Sequence, residues 1–392
     1  MGQIKLWKFQ ADNFRNLGSQ VAIFGPGINC IFGDNGNGKT NLLEAIYYLI
    51  YHRSFRRKAG FPQILGMDGG KPEILFSAVV QEAGKTEKGP SRPAQNFAYT
   101  GKVTAQGPLW FWQQKPAPKR PNIPLVLINP FDAHHFFFTA SFRRGWFDQR
   151  LALLSQVYKQ KWAYYQKALK QRNALLANAG GSSLPDGPLQ ALTDVMAAST
   201  AELLPLRLAF IQDLVKQTKQ VFPRLFQEDL ALQLEMVSPF LNCSLQQIKD
   251  LYLEKLPAEK LAKRSLRGLH RDDYRIFIGD FQAEEYASMG QQKCAYLALE
   301  FAYIELFRYK FNAYPIVLMD DVSGELDQAR WFNLVTYLRQ CNFQVLITTA
   351  NEKFRETLQQ IGQINELKIT SGEIKNLTSL GEEYREQIEK TE

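Results

Sequence analysis

Gly33-Asp34-Asn35-Gly36-Asn37-Gly38-Lys39-Thr40 is a full match to the phosphate-loop pattern G-x-x-x-x-G-K-[ST]. Its flanks give the pattern its meaning. Gly27-Ile28-Asn29-Cys30-Ile31-Phe32 before it reads as a short buried strand, and Asn41-Leu42-Leu43-Glu44-Ala45-Ile46-Tyr47 after it has helical spacing. Strand, glycine-rich turn and helix in that order form a cradle for nucleotide phosphates. Glycines at 33, 36 and 38 let successive N–H groups turn inward, and the following helix adds its positive N-terminal dipole. The run from Gly33 to Asn41 is therefore expected to line a nucleotide. Lys39 would reach the β- and γ-phosphates, and the Thr40 hydroxyl would ligate Mg²⁺. The competing reading is a glycine-rich turn that binds nothing.

A second motif far downstream selects among phosphate-loop proteins. Tyr314-Pro315-Ile316-Val317-Leu318-Met319-Asp320-Asp321 is an apolar strand ending in two acids, the form of a Walker B element. Asp320 would hold Mg²⁺, and Asp321 would stand where a general base polarises an attacking water. Upstream, Ala287-Ser288-Met289-Gly290-Gln291-Gln292-Lys293 opens a helical run, in the manner of an ABC-type signature. There Ser288, Gly290 and Gln291 would present donors to a γ-phosphate held by a second subunit. A serine that merely caps the helix would leave the same pattern. Ser323-Gly324-Glu325-Leu326-Asp327 is a candidate D-loop.

The 392 residues are enough for two or three domains, and a composition 45% hydrophobic and 22% charged is that of a globular protein with a sizeable core. No run approaches the apolar length of a membrane span, and Met1 leads into a strand pattern with no secretory signal. Cys30, Cys243, Cys294 and Cys341 lack metal-site spacing and are expected as buried free thiols in a reducing cytoplasm. Nor do the four histidines form a metal set; His134 and His135, taken as lying on a strand, would point to opposite faces. Charge is unevenly distributed. Residues 1–175 hold 24 Lys+Arg against 9 Asp+Glu, whereas the remainder holds 23 against 30. A basic N-terminal half fits a phosphate-backbone partner such as DNA.

Residues 1–140 read as short strands and turns around the phosphate loop, with 81–95 as a hairpin loop. Residues 141–263 read as helical. Gln156 to Asn178 and Leu189 to Phe222, separated by a glycine-rich break, are expected to form an antiparallel helical arm. Residues 264–392 return to strands and carry the signature and Walker B. Arg53, Arg56 and Arg57 follow the phosphate-loop helix and are expected to contact nucleotide or DNA, while Trp110, Phe111 and Trp112 are expected to pack. His270 is balanced between a packing and a functional role.

These blocks, in this order, resemble the RecF family, recombination-mediator ATPases of the SMC/ABC class. The resemblance spans nearly the whole chain. It rests on Phe14-Arg15-Asn16, the phosphate loop with its helix, Ser54-Phe55-Arg56, Arg143-Arg144-Gly145-Trp146-Phe147-Asp148, the arm segment Tyr165 to Asn173, Leu269-His270-Arg271-Asp272-Asp273 and the signature. It implies an α/β fold: an ABC/SMC-type P-loop ATPase head built from both chain ends, with an inserted α-helical hairpin arm. It further implies ATP and Mg²⁺ as cofactors and slow, DNA-stimulated hydrolysis serving as a switch. ATP-dependent homodimerisation, binding of double-stranded DNA or duplex/single-strand junctions, and work with RecR and RecO in loading RecA at gaps belong to the same expectation. The chain departs from the family pattern at three motif positions, and its segments around 81–122 are longer than the pattern implies. Pro130-Phe131-Asp132 lacks an acid after the proline, Leu269 replaces a proline, and Gly324 replaces a serine.

Rival assignments fit less well. A transporter-type ATPase would keep its motifs within about 130 residues, and a chromosome-associated SMC protein would need hundreds of coiled-coil residues between them. A nuclease of the OLD type would need an added acidic domain. A non-hydrolysing structural relative would be marked by loss of Lys39 or Asp320, and both are present.

Overall fold

In Glu73–Glu82, Ile74, Phe76, Ala78 and Val80 alternate with exposed or half-exposed neighbours, the period-two pattern of a strand with one buried face. The same pattern in Ile4–Asp12 and Gln95–Thr104 builds an antiparallel sheet. Its spatial order is 22–23, 4–12, 73–82, 95–104, 107–112, 115–116. The expectation of only short strands in this region is therefore corrected: three of them are nine or ten residues long. The computed structural model describes residues 3–56, 59–66, 71–82, 94–117, 120–129, 131–178, 186–226, 231–322, 326–341 and 343–378. Most of the 81–95 segment lies outside them, although Glu82 pairs with Gln95 in adjacent strands.

A second sheet has apolar strands buried on both faces, as a parallel sheet requires. Its order is 373–376, 365–370, 28–32, 345–349, 316–319, 125–128, parallel throughout except for the edge hairpin Asn365–Thr370/Glu373–Asn376. The helix Lys39–Tyr51 lies in one hydrophobic core with residues from both sheets. Leu42, Leu43, Ala45, Ile46, Leu49 and Ile50 pack with Ile31, Leu318 and Ile369 from one sheet and Phe9, Phe76 and Tyr99 from the other. A helix enclosed in this way must be apolar nearly all round, and this one is. Trp110 belongs to the same core, stacked on His52 with ring centroids 4.2 Å apart.

Contacts divide the chain into two units: 1–132, 222–228 and 304–392, and then 133–221 and 229–303. The first is thus an α/β head drawn from both chain ends. The second carries the long helices. Ser155 ends Ala140–Leu154 and caps Gln156–Ala177, its hydroxyl accepting from the Tyr158 N–H at 3.2 Å. Contacts with Asp186–Phe226 run in opposite order along the two helices: Tyr158 with Arg207, Lys161 with Glu202 and Arg172 with Thr193. The hairpin is therefore antiparallel, as expected. Conserving its geometry falls partly to buried polar groups: Arg207 bridges Asp148 (2.8 Å) and Asp272 (3.0 Å), and Arg172 holds Glu259 at 2.7 Å.

Three expectations need correction here. The helical run to Lys263 is interrupted by the strand Leu232–Val237, which pairs with Asp273–Ile278. His134 and His135 lie on the helix Asp132–Phe138 rather than on a strand, because the surrounding aromatics Phe136 and Phe137 bury one helical face. Cys30 and Cys294 are buried, whereas Cys243 and Cys341 are half-buried; all four are free. Among the described residues no helix is long and apolar enough to cross a membrane.

Candidate nucleotide site

The phosphate loop leaves the strand Ile28–Phe32 and enters the helix at Lys39. Gly33, Gly36 and Gly38 all have positive φ (149°, 83° and 107°), which turns the loop back over the helix N-terminus. Gly33 is also a close approach, since a Cβ there would sit 2.2 Å from the Ile369 carbonyl oxygen. Asp34, Asn35 and Gly36 are exposed at the rim, with Asn37 and Asn41 half-buried beside them. The Lys39 ammonium donates to the carbonyls of Gly33 (2.7 Å) and Asp34 (2.9 Å). Burial lowers its pKa, while Asp321, Asp320 and Asp34 pull in the opposite direction.

Across 280 residues of chain, the Thr40 hydroxyl donates to Asp320 Oδ1 at 2.9 Å. Thr348 Oγ1 donates to the same oxygen at 2.8 Å and itself accepts from the Asp321 N–H at 2.9 Å. Burial raises the pKa of Asp320, against the two threonine hydrogen bonds; Asp321 raises it further and Arg56 lowers it. Asp321 has φ of 51°, a left-handed conformation that aspartate tolerates better than most residues. Its own pKa is raised by burial and lowered by Lys39. Lys39, Thr40, Asp320 and Asp321 are thus brought together within the first unit.

Ser288, Gly290 and Gln291 belong to the second unit. Exposed Ser288 caps the helix Met289–Phe311. Its Oγ accepts from the Gln291 N–H at 3.2 Å, and its own N–H donates to Gln291 Oε1 at 2.9 Å. This is a reciprocal capping box, which leaves the helix N-terminus facing outward. Within the same unit, buried Glu300 on this helix accepts from Trp146 Nε1 at 2.8 Å and pairs with Arg150. Of the candidate D-loop, Ser323, Gly324 and Glu325 lie outside the described residues; Asp327 caps Gln328–Gln340 through the Arg330 N–H.

Several site residues carried no motif of their own. Thr348 is one. A second group is the hairpin turn at Ser371-Gly372, whose N–H groups donate to Asn37 Oδ1 (3.2 Å) and Asn37 O (2.9 Å). Asn16, from the Phe14-Arg15-Asn16 block, joins them: it donates to Gly36 O and accepts from Asn41 Nδ2. Glu44, fully buried one helical turn beyond Thr40, joins two of the sequence blocks. Arg15 grips it with two bonds (2.7 and 2.8 Å), Ser54 donates to it, and Arg56 lies 3.3 Å away. The expected nucleotide or DNA contact of Arg56 is thus accompanied by an internal ion pair; Arg57 lies outside the described residues. His270 has both ring nitrogens engaged, with Tyr165 Oη at 3.0 Å and the Ser265 carbonyl at 3.4 Å, and burial lowers its pKa to about 4. That is a packing role.

A family model described as the RecF/RecN/SMC N terminal domain matches residues 5–371. The DNA replication and repair protein RecF of Halalkalibacterium halodurans is 32% identical over 345 residues, covering 86% of this chain and 90% of the relative. That of Streptococcus equi subsp. zooepidemicus is 30% identical over 377 residues, 92% and 95% of the two chains. Among solved structures, the recombination mediator protein RecF with ATP, of the RecFOR pathway, aligns with a TM-score of 0.81 at 22% identity over 96% of this chain and 98% of that one. A Smc head domain from Pyrococcus furiosus aligns with a TM-score of 0.54 at 13% identity over 99% of both chains. Identities this low establish likeness of fold.

Proposed function

The chain belongs to the RecF family of DNA replication and repair proteins, and on that premise we propose that it is an ATP-driven switch that binds and hydrolyses ATP, dimerises head to head and holds DNA. The observation that carries this reading is the meeting of Thr40 and Asp320 through a 2.9 Å hydrogen bond. A hydroxyl and a buried carboxylate, side by side at the N-terminus of a phosphate-loop helix, are the donor set of a Mg²⁺ site. The raised pKa of Asp320 marks a carboxylate whose burial a cation would relieve. Mg²⁺ bound by Thr40 and Asp320 would neutralise phosphate charge. Backbone N–H groups from Gly33 to Thr40, with Asn41 beside them, bind the phosphates. Lys39 exchanges the carbonyls of Gly33 and Asp34 for phosphate oxygens, and Asp321 accepts a proton from water.

Ser288, Gly290 and Gln291 complete the site in trans. The exposed helix N-terminus at Ser288 is free to meet the γ-phosphate on a second copy. Nucleotide state thereby sets the monomer–dimer balance, and slow, DNA-stimulated hydrolysis resets it. The basic N-terminal half supports binding of double-stranded DNA or duplex/single-strand junctions. Family membership supports cooperation with RecR and RecO in loading RecA at single-stranded gaps, in the cytoplasm. We place the functional head at 1–140 and 264–392, with 141–263 as the arm, so that it takes in residues 133–140 and 264–303 of the second unit.

Light scattering of Ser288→Arg with ATP tests the mechanism. ATP should still bind each monomer, because the phosphate loop of the same chain is untouched, while ATP-driven dimerisation and hydrolysis should be lost together. A normal ATP-dependent dimer would reduce Ser288 to a helix cap and overturn the trans site.

A further inference from the structure

The helix Gln156–Ala177 carries five Lys/Arg and no Asp/Glu. Two of the five are spent inside the second unit: Lys161 pairs with Glu202 at 2.5 Å, and Arg172 is buried against Glu259. Lys159, Lys167 and Lys170 are exposed, and none has an ion-pair or hydrogen-bond partner among the described residues. At about 100° per residue, these three side chains fall within an arc of roughly 80°, and from first to last they span roughly 16 Å of helix axis. Exposed Gln156, Ala163 and Ala174 share that arc, and exposed Gln166 lies about 20° beyond its edge. Tyr158, Tyr165, Ala168, Arg172 and Leu176 form the opposite, buried face.

We propose that this lysine stripe is a docking surface for the phosphate backbone of duplex DNA; the proposal rests on the DNA-binding function given above and names the surface that performs it. The chemistry fits one side of a duplex. Compact ammonium groups neutralise phosphates as point charges, and the glutamine amides add neutral donors. The two alanines let a sugar–phosphate strand come close to the helix. A straight, rigid comb about 16 Å long matches about five phosphates of one strand, at roughly 3.4 Å of duplex axis each. An acidic protein surface is the competing partner. Protein interfaces deplete lysine in their cores in favour of aromatic anchors, whereas the centre of this arc holds only lysine, glutamine and alanine.

The test is duplex binding by the full chain with ATP and Mg²⁺, using a fluorescein-labelled duplex of mixed sequence read by anisotropy over a salt series. The variant Lys159→Gln/Lys167→Gln/Lys170→Gln removes three surface charges and no packing. Its salt slope should fall by about 2.7 and its affinity near 0.1 M salt by on the order of 10²-fold. The corresponding triple Lys→Arg variant should retain both, and ATP binding should be unchanged in either. Duplex binding by the triple Gln variant with an unchanged slope would overturn the proposal and assign the lysines to an acidic protein partner. Failure of the unaltered chain to bind duplex would overturn the DNA-binding function itself, and this surface with it.

Discussion

Replacing Glu44 by Gln removes one negative charge from a fully buried position while keeping the side chain's shape. Two cations lose their counter-ion. Arg15 bonds it bidentately with 19% of its own side chain exposed, and Arg56 lies 3.3 Å away with 37% exposed. Removing one member of a fully buried pair costs roughly 3–5 kcal/mol. Water reaches both arginines here, and Arg56 is exposed enough to contribute little, which brings the expected cost to about 2–3 kcal/mol, nearly all through Arg15. The effect should extend to nucleotide affinity. Arg15 precedes Asn16, whose side chain is bonded to Gly36 and Asn41, so a loosened Arg15 loosens the loop that holds the phosphates. The assay is urea unfolding of Glu44→Gln, Arg15→Met and the double variant, with ATP affinity measured on each. The coupling energy from that cycle should exceed about 1 kcal/mol, as it does for groups in direct contact. Additive effects, or a Glu44→Leu chain more stable than the original, would show that the pair contributes nothing net and that the two sequence blocks are held together by packing alone.

Asp321→Asn should bind ATP and accumulate as a dimer, with hydrolysis down about 10²–10⁴-fold, since asparagine accepts the 51° φ but cannot take a proton. Single-turnover phosphate release checks this, and a normal rate would place the base elsewhere. Gly372→Ala should destabilise the chain by at least about 2 kcal/mol, because φ is 86° and the new Cβ would fall 1.7 Å from the Asn16 carbonyl oxygen. Melting and ATP affinity should drop together, as the Gly372 N–H holds Asn37; an unchanged melt would refute the close approach. Half-buried His270 and buried Asp272 should oppose each other in the pH dependence of stability. Burial lowers His270 from 6.5 to about 4, so its contribution is present above 6.5 and lost as pH falls towards 4; burial raises Asp272 from 3.8 to about 7, so its contribution is present below 3.8 and lost as pH rises towards 7. Asp272→Asn should therefore make stability rise more steeply with pH between 4 and 6.5, by up to about 1.4 kcal/mol per pH unit, and melting curves with parallel pH slopes for variant and original would show Asp272 ionised throughout.

Local periodicity made some elements readable at once. The phosphate-loop strand and helix, the Walker B strand and the two long helices were legible because each buries a face or stripe that its own residues mark. The antiparallel sheet was harder to see. Its strands carry the alternation plainly, as Ile74, Phe76, Ala78 and Val80 do, but the segment between Glu82 and Gln95 breaks up the run, and the pairing of Ile4–Asp12 with Glu73–Glu82 joins residues some seventy positions apart. Leu232–Val237 was missed for a related reason. It is a short strand between helices in which only Leu232 and Met236 are buried, so its partner Asp273–Ile278 supplies most of its reason to be extended.

The site divides along the same line, between chemistry that one segment declares and geometry that several segments make together. Lys39, Thr40, Asp320 and Asp321 announce themselves, since a phosphate loop and a pair of acids after an apolar strand have few other uses. The residues that orient them do not. Thr348 lies one residue from the end of an apolar strand like many others, yet it joins Asp320 to the backbone of Asp321. Ser371 and Gly372 form the turn of an edge hairpin, yet they close on Asn37 from more than three hundred residues away. Ser288 shows the converse. Its signature pattern is strong in sequence, but among the described residues the hydrogen bond of its side chain is to Gln291, three residues on. A capping box and a trans contact use the same serine at the same helix end. They differ only in what approaches the exposed N-terminus, so it is the oligomeric state with ATP, rather than any distance within the monomer, that separates them.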